Sequence, residues 1–364
     1  MKTYLIFIFL IYRAFASELN TCELDETKRR IICKNILGQF PSYPQPFFGG
    51  VLECASCDLS VFSQKTFPYE NRISAVNLSS SGIEFVRSKS FSVFKNAHFF
   101  YLQDNKITNV SKSAFSGLRQ VYELHLENNY ITYLQDGFLD DFEVSSVALS
   151  HNKLKVLPSN IFKGVLGLLS LELQNNMIKT LHPETFSGLE SLEYLILENN
   201  QLCYIPLGTF SHVKTLKHLN LSGNKFTRFP IGVFSGLKYL ESLSLARNNL
   251  ADFDGSFLVP FNHLSKLDVT ENGIYFFDAV NVYKNVPTIR NIHLGGNIFS
   301  CSVLMNVMQY FKKYNVEVVN DAERFDIQNI NGIVCIDNII TTPISYEYFL
   351  NVAKEETKNG ILYC

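Results

Sequence analysis

Leu192-Glu193-Tyr194-Leu195-Ile196-Leu197-Glu198-Asn199-Asn200-Gln201-Leu202 reads L-x-x-L-x-L-x-x-N-x-L. The alternation around Leu195 and Leu197 suits a short strand with one apolar face, because successive side chains of a strand point to opposite sides. The asparagine slot returns at Asn105, Asn129, Asn152, Asn176, Asn200, Asn224, Asn248, Asn272 and Asn297, and Ser81 holds it one turn earlier. The spacing is 24 residues, with one step of 23 and one of 25. A second column runs in phase: Phe91, Phe115, Phe138, Phe162, Phe186, Phe210, Phe234 and Phe257, several followed by Ser-Gly-Leu. It accounts for eight of the 31 phenylalanines in a chain without tryptophan.

A repeat of this length is one supersecondary unit that cannot bury its own apolar face and must stack on its neighbours. The expected structure is a stack of parallel strands about 4.8 Å apart, with the L positions inward. The Asn amides should bond backbone groups of adjacent turns, and the Phe column should form a buried spine. Stepping 24 residues back from Ser81 lands on Cys57, which places Leu52, Cys54, Leu59 and Phe67 on repeat positions, so "VLECASCDL" reads as a disguised first repeat. That makes about eleven turns.

These residues resemble the leucine-rich-repeat family in its 24-residue extracellular form, over about residues 49–300, with a looser likeness to insect innate-immune members. The resemblance implies an α/β solenoid, a horseshoe with a parallel concave sheet and disulfide-supported N- and C-terminal caps. The expected organisation is a signal peptide at 1–16, an N-terminal cap at 17–48, repeats at 49–300 and a C-terminal cap at 301–364.

The start of the chain has the features of a secretory signal: Lys2, the apolar run Tyr4 to Tyr12, and Ala14-Phe15-Ala16 as a small-residue cleavage site. The run is too short to span a bilayer comfortably, and no later stretch is long and apolar enough to do so, so no membrane insertion is expected. The expected location is extracellular, where disulfides persist.

Eight cysteines are present: Cys22, Cys33, Cys54, Cys57, Cys203, Cys301, Cys335 and Cys364. Cys22 to Cys33 looks like a hairpin that a bridge would pin as the N-terminal cap. Cys54 and Cys57 suit buried structural sulfurs better than a zinc half-site, which needs four ligands; whether they bond each other or pair into the cap stays open. Val303, Leu304, Val307, Met308 and Phe311 recur at helical spacing and predict a capping helix. The family resemblance implies a Cys301–Cys335 bridge, with Val303 where the family's second cap cysteine stands and Cys364 as the fourth. Pairing Cys203 with Cys364 would require spanning about four strand spacings, roughly 20 Å, against about 7 Å between bridged Cα atoms. Cys364 is therefore expected to hook a second chain in a disulfide-linked homodimer or heterodimer.

No catalytic, nucleotide-binding or metal-ligand motif stands out, so no enzyme activity, cofactor or metal is expected. A net charge of −2 argues against a dedicated nucleic-acid binder. His98, His125 and His151 fall on adjacent repeats at strand positions about 10 Å or more apart, too far to share a metal. The informative surface is the concave face formed by the x positions. From the Asn105 repeat to the Asn200 repeat it carries His98, Phe99, Tyr101, Tyr122, His125, Tyr194 and Ile196, with Asp104, Glu123, Glu127, Glu172, Glu193 and Glu198, and neither Lys nor Arg. Aromatic side chains concentrate at binding surfaces, and the acids set a sign. These residues are the expected contact for a neutral or basic protein or peptide. Three glycosylation sequons occur, at Asn77, Asn109 and Asn220, of which Asn77 and Asn220 hold the strand position between two L residues.

The expected function is non-catalytic recognition of a protein or peptide partner in innate immunity. An extracellular-matrix or adhesion role, or an enzyme inhibitor of the same repeat type, are the alternatives.

Overall fold

The structure, a computed structural model, describes residues 21–41, 50–55, 57–67, 71–139, 142–319 and 329–336. The expected signal peptide and Cys364 lie outside the described residues. The fold is a parallel-sheet solenoid of about eleven turns, divided into two compact units: residues 1–154 with 161–168, and residues 155–160 with 169–364.

The first unit opens with an antiparallel hairpin of β1 (Thr21–Asp25) and β2 (Arg30–Lys34). Cys22 faces Cys33 across it, and the two are bonded, with Cα atoms 4.0 Å apart. β2 then heads the parallel sheet, pairing with β3 (Val51–Ala55) and leading to β5 (Ala75–Asn77), β7 (Phe99–Tyr101), β9 (Gln120–His125) and β10 (Glu143–Ala148). Leu52, Val76, Phe100, Leu124 and Val147 come into register as one inward column, each at most 1% exposed. The disguised first repeat is real: Leu52, Leu59 and Phe67 are buried. Cys54 bonds Cys57 inside it, which settles the pairing that the sequence left open. A flanking three-stranded parallel sheet is formed by β4 (Val61–Phe62), β6 (Phe85–Val86) and β8 (Asn109–Val110).

The second unit stacks β11 (Ser170–Glu172), β12 (Tyr194–Ile196), β13 (His218–Asn220), β14 (Ser242–Ser244), β16 (Lys266–Asp268) and β18 (Asn291–His293) in parallel, and β15 (Asp252–Phe253) pairs in parallel with β17 (Phe276–Phe277). Its capping helix spans Cys301–Lys313; Ser300 caps it through Oγ, which accepts from the Val303 N–H. Leu304, Val307 and Phe311 are buried as the helical spacing predicts, whereas Val303 and Met308 are half-buried. The Cys301–Cys335 bridge is formed. After the helix the chain adds one more parallel strand, β19 (Glu317–Val319), against β18. A helix over Ala279–Asn285 replaces the usual flank of the last repeat, and its Val282 stands where the phenylalanine column ends. Gly255, at φ +71°, admits that helix: a Cβ there would lie 2.7 Å from Val282 Cγ2 and 3.1 Å from its Cα.

In both units the ladder asparagines do what their spacing implies. Asn129 donates from Nδ2 to the Leu102 and Leu126 carbonyls at 3.0 and 3.1 Å, and its Oδ1 accepts from the Ile107 N–H at 2.9 Å. Asn200 repeats the pattern with Leu173, Leu197 and Ile178. Each amide thus satisfies buried backbone groups on its own turn and the turn before, which an apolar residue could not do. The phenylalanine column is buried throughout, and rings stack within each unit: Phe91 on Phe115 at 4.9 Å, and Phe210 between Phe186 at 6.1 Å and Phe234 at 5.9 Å.

Candidate partner-binding face

The open face is the side of each sheet opposite the inward L column. In the first unit, β7 and β9 bring together eight of the sequence-selected residues. His98 stacks on Tyr122 with ring centroids 4.9 Å apart, and its Nδ1 lies 2.8 Å from the Gln120 carbonyl. Phe99 meets Tyr122 edge to face at 5.6 Å. Tyr101 and His125 are in register across the two strands, and their rings stack at 5.1 Å. His125 places Nδ1 2.9 Å from Glu127 Oε1 and Nε2 3.2 Å from Glu123 Oε2.

Both ring nitrogens therefore face carboxylates, an arrangement that favours the imidazolium. The hydrogen bond to Glu127, supported by that to Glu123 and by both charges, raises the His125 pKa above its ordinary value despite partial burial. Burial, and next the Glu123 charge, raise the Tyr101 phenol. Asp104 is tied into the turn: its Oδ1 accepts from Asn128 Nδ2 at 2.9 Å. Asp104 and Asn128 both hold left-handed backbone, φ 59° and 54°, just before a ladder asparagine. His151 shares that left-handed column, at φ 54°.

In the second unit the acids are engaged by the chain itself. Glu193 Oε1 takes the Lys217 ammonium at 2.8 Å, and this contact is the leading cause of a raised Lys217 pKa. Glu198 accepts from Asn220 Nδ2 at 3.0 Å and pairs with the Arg247 guanidinium. Glu172 accepts from Gln174 Nε2 at 3.2 Å. Tyr194, 42% exposed, stacks on His218 at 4.6 Å, and Ile196 is half-buried beside it. The signal for the Lys217 pair was present in the sequence, since Glu193 and Lys217 stand one repeat apart in the same column. The reach of Arg247 back across two turns left no such mark.

A depression of about 410 Å³ opens beside β7, lined by Arg30, Val51, Glu53, Ser74, Ala75, Asn77, Phe99 and Tyr101. Among the described residues no group of three or more His, Cys, Asp or Glu is placed to hold a metal ion, and no helix is long and apolar enough to cross a membrane. Cys203 is disulfide-bonded, and no described cysteine is free.

The sequence profile described as leucine rich repeat matches residues 71–131, 142–202 and 205–250. These three segments are leucine-rich repeats. No curated protein matches it by sequence. Among solved structures, a chain of the Drosophila Toll–Spätzle complex superposes with a TM-score of 0.62 at 21% identity, over 75% of this chain and 38% of that one. The TLR13–ssRNA13 complex gives 0.51 at 22% identity, over 69% and 44%. A leucine-rich-repeat protein of Leptospira interrogans gives 0.51 at 23% identity, over 74% and 71%. At these identities the likeness establishes the fold alone, and this chain spans less than half the length of the matched chains of the Toll–Spätzle and TLR13–ssRNA13 complexes.

Proposed function

We propose that this leucine-rich-repeat chain is a secreted, non-catalytic recognition protein of innate immunity that binds a protein or peptide partner through the open face of its first unit. The observation that carries the reading is the His125 arrangement: an imidazole stacked on Tyr101 and held between Glu123 and Glu127, with Phe99 and the 41%-exposed Tyr122 alongside. These rings are held by stacking and hydrogen bonds before any partner arrives, which lowers the ordering cost of association. Large aromatic side chains supply most of the energy at protein interfaces. The disulfides of both caps support an oxidising, extracellular setting.

Among the fold neighbours, one is bound to Spätzle and one to a single-stranded RNA. The RNA complex favours a nucleic-acid ligand as a second reading. The face weighs against it: Glu123 and Glu127 stand beside the aromatics without a Lys or Arg between 98 and 128 other than Lys106, Lys112 and Arg119 of the connecting turns. Phosphate binding draws its affinity from such cations on the contact surface.

The test is affinity capture from native extracellular fluid with the full chain, comparing wild type with a Tyr101→Ala/Tyr122→Ala variant of equal thermal stability. Protein species retained by wild type and lost by the variant support the reading. Equal retention refutes it, and recovery of RNA selects the second reading.

A further inference from the structure

We propose that Asn77 carries an N-linked glycan whose first N-acetylglucosamine sits in the depression between Tyr101 and the Arg30–Glu53 pair, and that Asn220, at the equivalent repeat position, stays bare. The proposal rests on the extracellular reading above.

The two sequons look alike in the sequence, and the structure separates them. Asn220 already uses Nδ2, the atom that would carry sugar, to donate to Glu198 Oε2 at 3.0 Å. That carboxylate also holds the Arg247 guanidinium, and the hydroxyl of Ser222, the third sequon residue, is shared with Ser244 Oγ at 2.7 Å. A glycan on Asn220 would have to break into this network.

Asn77 is free of such a tie. Its Oδ1 accepts from the Ser79 N–H at 3.1 Å and from Ser79 Oγ at 2.7 Å, which fixes the amide, while Nδ2 donates to no described residue. In register on one side stands Tyr101; on the other stands Glu53, paired with Arg30 at 3.2 Å. The short side chains of Ser74 and Ala75 leave the floor low. β7 lies between β5 and β9, so the Tyr101 ring, covered by His125 on the β9 side, turns its other face toward Asn77. A pyranose carries an apolar C–H face that packs on such a ring, and its N-acetyl group can bond the flanking Arg30 and Glu53.

In the transfer, Asn77 Nδ2 forms a bond to the anomeric carbon of a lipid-diphosphate oligosaccharide supplied by the secretory pathway. The anomeric C–O bond breaks, the lipid diphosphate leaves with that electron pair, and Nδ2 gives up one proton. Because transfer precedes folding, the folded contacts act by retaining chains whose glycans the native state accepts.

The experiment is site occupancy at Asn77, Asn109 and Asn220 in the full chain secreted from eukaryotic cells, read by enzymatic deamidating deglycosylation in ¹⁸O water with mass spectrometry. Asn109 is exposed on β8, away from the open face, and reports whether the chain met the transferase. The expected result is high occupancy at Asn77 and Asn109 and at least fivefold less at Asn220. Occupied Asn109 with bare Asn77, or Asn220 as full as Asn77, overturns the proposal while leaving the extracellular reading intact. Failure of the chain to be secreted, with all three sites bare, overturns both.

Seating in the depression is read separately after trimming to single N-acetylglucosamine. Asn77→Gln should lower Tm by about 2–4 °C, Asn109→Gln should not, and Tyr101→Ala should abolish the difference. Equal Tm for Asn77→Gln and wild type overturns the seating.

Discussion

His125 lies face to face with Tyr101, ring centroids 5.1 Å apart, with a glutamate oxygen within 3.2 Å of each of its nitrogens. The folded pKa of His125 is raised from an ordinary 6.5. The imidazolium contacts therefore stabilise the fold fully below about pH 6.5, and this contribution is lost as pH rises through the raised folded value. His125→Gln should lower Tm most at pH 5.5 to 6 and least at pH 8.5. A Tm difference that grows with pH would contradict this, and thermal melts across that range decide it.

Asn200 satisfies the Leu173 and Leu197 carbonyls and the Ile178 N–H. Asn200→Ala leaves the buried Ile178 N–H without its acceptor, at about 1–3 kcal/mol when no water enters, and removes one of two amide donors from each carbonyl, Leu173 keeping Asn176 and Leu197 keeping Asn224. The expected loss in denaturant unfolding is about 2–4 kcal/mol. Asn199→Ala, one residue away and exposed, should cost about 1 kcal/mol, from the left-handed backbone at φ 51° that alanine tolerates less well.

Phe210 is fully buried and stacked between Phe186 and Phe234. Phe210→Ala should cost about 3–5 kcal/mol, from lost transfer energy plus a cavity the rigid neighbouring turns cannot close. Because repeats couple mainly to neighbours, hydrogen exchange should accelerate first in the turns around 186–257.

Much of this was legible. The period of 24, the asparagine slots and the phenylalanine column give the stacking outright, because each is a requirement of burying a repeat against its neighbour. The capping helix was readable from the spacing of Leu304, Val307 and Phe311. β19 was not, since Glu317-Val318-Val319 is too short to show alternation and is held by pairing with β18. The acid-rich window was legible as a run of outward strand positions but not as a field. Glu193 and Glu198 are neutralised by Lys217 and Arg247, which stand outside it in sequence, leaving Glu123 and Glu127 around His125 as the first unit's acidic centre.

The cysteines show a different limit. Counting strand spacings argued against Cys203 meeting Cys364, yet Cys203 is disulfide-bonded while six other cysteines pair among themselves. Residues 337–363 can reach roughly 90 Å when extended, so stack distance sets no bar. Peptide mapping of unreduced protein should recover Cys203 linked to Cys364 in a monomer. A dimer band that collapses on reduction, with Cys364 linked across chains, would instead bear out the hook.

The central claim is that the partner sits on the first unit's open face. Photo-crosslinking tests it directly, with a benzoylphenylalanine at Tyr122 on the face or at Ile231, which is 71% exposed on a turn far from any strand of the sheet in sequence. Exposed to native fluid and light, the Tyr122 derivative should form a discrete adduct that the Ile231 derivative lacks. An adduct at Ile231 and none at Tyr122 would contradict the account.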